Sequence, residues 1–130
     1  MNAEKNLSQG AESTDGTESL AAADAPWQDV AAFADLDPDF PLGVEVGSEK
    51  IGLYIDGDKV FALEDVCPHA FALLSQGFRE SGVIECPLHA AQFDIRSGKC
   101  LNEIGGRDLR CFPTRVLDGR VAIKLHPLAP

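Results

Sequence analysis

Two of the three histidines and two of the four cysteines in this 130-residue chain fall between Cys67 and His89. They come as mixed pairs: Cys67-Pro68-His69, a connection of sixteen residues, then Cys86-Pro87-Leu88-His89. Thiolate and imidazole are the side chains suited to zinc and to iron–sulfur centres, so the constellation points to a metal. Zinc fingers usually bring two like ligands together, with two to four residues between the cysteines. Here each segment mixes its ligand types, and a single residue separates Cys67 from His69. Two facing loops of this kind could give both cysteines to one iron and both histidines to a second.

The rest of the chain must hold those loops face to face. From Trp27 onward it reads as short strands separated by turn signals, the pattern of an all-β domain. A turn is predicted at Asp35–Pro38 and a strand at Pro41–Val46. Ile51–Ile55 and Val60–Leu63 predict a hairpin around Asp56-Gly57-Asp58-Lys59. Strands are expected at Val83–Glu85, Gln92–Ile95 and Leu109–Val116, with turns at Ser97-Gly98 and Gly105-Gly106. Asp118-Gly119 then reverses the chain into Val121–Leu125. Asp29–Ala34 is the stretch compatible with a helix. Both ligand pairs follow strand-like segments, so they belong on loops that a rigid sheet can present.

Composition narrows the partners. Size and a 45% hydrophobic content suit one domain with a modest core. A net charge of −10 repels the phosphates of nucleic acid, and no polybasic segment is available for an anionic membrane. Acidity favours solubility and can steer a molecule toward basic protein partners. No apolar run approaches a membrane span and no signal pattern opens the chain, so the cytoplasm is the expected address. In that compartment four cysteines read as ligands or core residues rather than as a disulfide framework. Residues 1–26 hold few large apolar side chains and are expected to be a disordered acidic tail, leaving 27–130 as the folded domain.

On these residues the sequence resembles the Rieske family, whose pattern is Cys-x-His, about fifteen to seventeen residues, then Cys-x-x-His. The matching positions are Cys67, His69, Cys86 and His89, and Pro87 and Phe93-Asp94 also fit. The likeness spans residues 27–126, including Ala62-Leu63-Glu64-Asp65 and the final hairpin. It implies a Rieske fold, an antiparallel base sandwich or small barrel with a two-loop cluster-binding subdomain inserted at about 66–106. It further implies one 2Fe–2S cluster, with Cys67 and Cys86 on one iron and His69 and His89 on the other. The nearest likeness is to the ferredoxin component of bacterial ring-hydroxylating dioxygenase systems. That implies a monomeric one-electron carrier, not itself an enzyme, between an NAD(P)H-dependent flavin ferredoxin reductase and a terminal oxygenase. The small Rieske subunit of an assimilatory nitrite reductase and a structural zinc module are the alternatives. A terminal oxygenase would need a further iron held by two histidines and a carboxylate, and only His126 remains.

Histidine ligation raises the potential of such a centre, to about −150 to +300 mV across the family. High-potential relatives link the two loops by a disulfide and carry Ser and Tyr hydroxyls beside the cluster. Ala72, Leu88, Ala91 and Phe93 occupy the corresponding positions here, which implies a low potential. Two departures from the family stand out. Ala90 replaces a common glycine, and Asn102–Asp108 replaces a covering loop that is often proline-rich. Gly105-Gly106 either approaches the cluster closely or merely loosens that loop. Leu88 and Phe71 are expected to shield the cluster, and Cys100 and Cys111 to be thiols in or near the core. Arg96, Lys99, Arg107 and Arg110 form a basic group, read first as salt bridges to acidic strands and second as a docking patch.

Overall fold

Five consecutive buried residues, Ile51–Ile55, make the centre of the molecule. They belong to strand β3 (Glu49–Asp56), which turns back through Gly57-Asp58 into β4 (Lys59–Glu64) with Asp56 opposite Lys59. Gly57 has φ 67, a left-handed conformation that glycine adopts without steric cost. The computed structural model describes residues 26–68 and 72–125. Of the tail expected over 1–26 it describes Pro26 alone, and His69, Phe71 and His126 also lie outside the described residues.

β2 (Leu42–Val46) pairs with the outer side of β3, and β8 (Cys111–Phe112) with β4, giving an antiparallel four-stranded sheet. A second sheet places β10 (Arg120–Ile123) between β1 (Gln28–Ala32) and β9 (Thr114–Leu117). The single strand expected over Leu109–Val116 is split at Pro113. Proline has no N–H to give a ladder, so the chain leaves β4 there and joins β10. Thr114 Oγ1 donates to the Val60 carbonyl at 2.9 Å, tying the two sheets at this crossing.

The helix considered at Asp29–Ala34 does not form. Gln28–Ala32 is a strand registered from Gln28↔Ile123 to Ala32↔Arg120, followed by a 3₁₀ turn at Phe33–Asp35. Six residues are too few for a stable helix in water, whereas the free edge of β10 supplies backbone partners. Among the described residues no helix is long and apolar enough to cross a membrane.

Between β4 and β8 the chain builds a third sheet of β5 (Phe78–Glu80), β6 (Val83–Glu85) and β7 (Gln92–Asp94). β5 has no apolar alternation, with Phe78 exposed, and only its pairing with β6 marks it as a strand. β3 and β4 form the wall between two cores. Ile51, Leu53 and Ala62 face Ala31, Phe112 and Ile123 of the base. On the other side, Tyr54 and Leu63 meet Leu74, Ile84, Phe93 and Ile95 of the inserted segment. The alternation along each strand makes this possible, since successive side chains point to opposite faces.

Gly98 joins the inserted sheet to the loop that follows it. Its φ is 75, its N–H donates to Asp94 O at 2.7 Å, and its carbonyl accepts Leu109 N–H at 2.7 Å. A Cβ there would lie 2.7 Å from Leu109 O and 2.8 Å from Cys111 Sγ. Gly98→Ala is therefore expected to cost about 2–3 kcal/mol, combining left-handed strain with overlap. Denaturant unfolding checks this, and an unchanged midpoint would contradict it.

Candidate metal centre

Both ligand segments are closed at their ends in the same way. The first is framed by the bridge between Val66 and Leu73, and Cys67 N–H donates to Ala72 O at 2.8 Å. The second is framed by Glu85 opposite Gln92, the last pair of β6 and β7, and Cys86 N–H donates to Ala91 O at 2.8 Å. Cys67–Ala72 and Cys86–Ala91 are thus loops of equal length, each closed by its own cysteine N–H. Closing the backbone this way satisfies buried polar groups and fixes each Cα–Cβ direction.

The two cysteines enter one core. Cys67 is 0% and Cys86 1% exposed, and both pack with Tyr54, Leu63, Leu74, Ile84, Ala91 and Phe93. His89, in contrast, is exposed at the outer end of its loop. Among the described residues no three His, Cys, Asp or Glu side chains converge on one point. A centre with two ligands on each of two ions does not require such a convergence. Leu88 is 61% exposed and stands beside His89 on the second loop.

Glu64, the last residue of β4, carries the electrostatics of the site. It is buried, and Arg107 grips its carboxylate with Nη1 at 2.6 Å and Nη2 at 3.0 Å. Arg110 N–H adds a bond of 2.7 Å. Burial alone would raise this carboxyl, but the Arg107 bond, the Arg110 bond and both guanidinium charges hold it below the ordinary carboxylate range. Arg107 is raised in turn by its bond to Glu64, and the Cys67 sulfur adds to that effect. A cation therefore stands within electrostatic reach of the first thiolate. Arg96 pairs with Asp56 and Arg110 with Glu49. Three of the four basic residues thus serve as ties to the acidic base strands, the first of the two readings.

The covering loop resolves the remaining positions. Gly105 is buried, and a Cβ on it would lie 2.6 Å from Cys100 Sγ and 2.8 Å from Phe93 Cζ. This glycine lets the loop pass close to Cys100 and Phe93. Cys100 Sγ donates to Asn102 O at 2.7 Å and Cys111 Sγ to Ser97 O at 3.1 Å; both are partly buried free thiols. Burial, with nearby Asp108 and Asp94, pushes the Cys111 thiol up to about 11. Sequence reasoning missed Glu64 as a site residue, since a carboxylate ending a strand carries no signal until Arg107 is folded onto it.

Fold and site define a small antiparallel β protein that holds two buried thiols, one on the segment after β4 and one on the loop between β6 and β7. The chain belongs to the Rieske family: the Rieske [2Fe-2S] domain model matches residues 26–113. It is 36% identical over 103 residues to the anthranilate 1,2-dioxygenase ferredoxin subunit of Burkholderia cepacia, spanning 78% of this chain and 94% of that protein. A complex of reduced oxygenase and oxidized ferredoxin in carbazole 1,9a-dioxygenase matches with a TM-score of 0.74 and 31% identity, covering 80% of this chain and 97% of that one. A putative NADH-dependent nitrite reductase small subunit from Mycobacterium tuberculosis, at 24% identity and a TM-score of 0.66, shares the fold. It covers 76% of this chain and 94% of that one. One Rieske-type 2Fe–2S cluster is the family's cofactor, which displaces the zinc-module reading. The residues fit it: two thiols buried in one core, an exposed imidazole on one of the loops, and a nearby cation to offset thiolate charge.

Arg107→Gln would leave Glu64 buried without its bidentate partner. The expected cost is about 2 kcal/mol, below the 3–5 of a fully buried pair, because Arg107 is itself half exposed. Glu64→Gln in the same chain should recover most of it. Since Glu64 titrates below the usual carboxylate value, its contribution is complete above that value and fades as pH falls through the folded one. Thermal unfolding of the single and double variants against pH checks both; equal losses in single and double variants would contradict the coupling.

Proposed function

We propose that this protein is a one-electron carrier, the ferredoxin component of an aromatic-ring-hydroxylating dioxygenase system, in which Cys67, His69, Cys86 and His89 hold the cluster. When bound, a 2Fe–2S cluster with two thiolate and two imidazole ligands takes up and releases one electron. The chain's own residues do the rest. The closed loops fix both cysteines, the apolar core keeps water from them, and β4 carries the first loop while β6 and β7 carry the second. The observation that carries the reading is the pair of buried cysteines on matched loops, in a chain closely similar to a dioxygenase ferredoxin subunit. The protein catalyses no substrate chemistry in this reading. It acts as a monomer that takes electrons from a flavin ferredoxin reductase and delivers them to a terminal oxygenase. Residues 27–130 form the carrier domain, and residues 1–26 contribute no ligand.

The partner meets the molecule where the second loop reaches the surface, at His89 with exposed Leu88 beside it. A net charge of −10 steers a basic partner to that encounter. In a reconstituted system of NADH, reductase, this protein and oxygenase, product formation should require it and slow as salt rises, because charges farther apart than a Debye length are screened. Turnover without it would refute the function, and rates indifferent to salt would refute the steering.

Ala91 is fully buried among the thiols and has no hydroxyl to offer. Ala91→Ser would add a donor that stabilises the more negative reduced state. A differential of ~1 kcal/mol corresponds to a rise of roughly 40 mV in midpoint potential. Phe93→Tyr is a less clean test than the sequence suggests, because the tip of the ring packs against Gly105. Redox titration of Ala91→Ser decides the matter: an unchanged or lower potential with the cluster intact would contradict the low-potential reading.

A further inference from the structure

The second ligand loop closes with Ala90 at φ 63, a left-handed conformation that crowds any residue bearing a Cβ. Within the loop, the Ala90 N–H reaches the Cys86 carbonyl only at 3.3 Å. The stronger hold comes from outside. Asn102 Nδ2 donates to Ala90 O at 3.1 Å, and Asn102 Oδ1 accepts Gln92 N–H at 3.3 Å. One amide thus spans Ala91, gripping the backbone on both sides of it. A side-chain amide has the donor and the acceptor this needs, and only one orientation satisfies a carbonyl on one side and an N–H on the other.

Asn102 is itself held in place. Leu101 N–H donates to Gln92 O at 2.8 Å, Cys100 Sγ donates to Asn102 O, and Asn102 is extended at φ −143, ψ 169. Five residues on, Arg107 grips Glu64, which leads through Asp65 and Val66 into the first ligand loop. The same segment therefore touches the second ligand loop at one end and the approach to the first at the other.

We infer that Asn102 is a positioning residue for the metal centre: its amide locks Ala90 in the left-handed conformation and so fixes Cys86 and His89 relative to Cys67. This rests on the ligand assignment proposed above and adds a residue that touches no ligand directly. It also has a consequence that a merely stabilising contact lacks. If the amide holds a strained turn, its worth depends on whether residue 90 is strained, and glycine at 90 removes that strain.

The test compares wild type, Asn102→Ala, Ala90→Gly and the double variant, each purified with its cluster. The readouts are the bleaching rate of visible absorption in fixed guanidinium with an iron chelator, and the electron paramagnetic resonance spectrum after reduction. Asn102→Ala removes both amide bonds and should speed bleaching at least about fivefold, the worth of one net hydrogen bond, and shift the resonance lines. In the Ala90→Gly background the same substitution should speed bleaching no more than about twofold and leave the lines near wild type, since sites in one network are coupled. Asn102→Asp is the variant to use if alanine prevents folding: it keeps the acceptor for Gln92 N–H, loses the donor to Ala90 O, and should bleach faster than wild type. Bleaching of Asn102→Ala at the wild-type rate, or by the same factor in both backgrounds, would overturn the inference. A wild type that purifies without iron or sulfide would instead overturn the ligand assignment, and the coupling of Asn102 to Ala90 would still be read from the thermal midpoints of the same four proteins.

Discussion

Two thiols buried in a single core are the constraint on which this structure depends. Cys67 follows β4 of the β3–β4 wall and Cys86 follows β6 of the inserted sheet, yet both are closed off from water in the same cluster of side chains. A thiolate in such a place is costly unless something positive receives it, because burial penalises the charged form. A metal centre meets that requirement. The apolar neighbours Tyr54, Leu74, Ile84 and Phe93 then act as a mould, since a close-packed interior resists small displacements of the groups it surrounds.

The loops owe their precision to the backbone rather than to the ligands. Each is closed by the N–H of its own cysteine, and each is attached to a strand pair or bridge whose register is set elsewhere. Electrostatics reinforces the arrangement from beneath. Glu64 is buried at the end of β4 and accepts bonds from Arg107 and Arg110, so the covering segment is anchored to the wall that carries the first loop. Removing one partner from such a network exposes the full desolvation cost of the other, which makes the anchor directional and specific. The acidic surface and the basic ties thus have separate tasks: the former faces solvent, and three of the latter are turned onto the base strands.

The candidate ligands were legible in the sequence because the chemistry of such a centre resides in residue types and spacing. Cys67, Cys86 and His89 need no structure to be recognised as ligand candidates, and His69 completes the pattern. The hairpins at Gly57 and at Asp118-Gly119 were legible for a local reason, as each turn needs left-handed residues. What depended on distant pairing was not. The strand at Gln28–Ala32 exists because β10 offers it an edge, and β5 because β6 does. Pro113 divides a stretch of apparently continuous strand, and its effect follows from the two ladders that meet there. Ala90 and Asn102 lie twelve residues apart, and no periodicity announces that one grips the other.

The most direct test of the central claim is chemical analysis of the purified protein joined to its magnetic state. Two irons and two acid-labile sulfides per chain are expected, diamagnetic when oxidised and paramagnetic after uptake of one electron. A colourless protein holding a single zinc ion and no sulfide would contradict it.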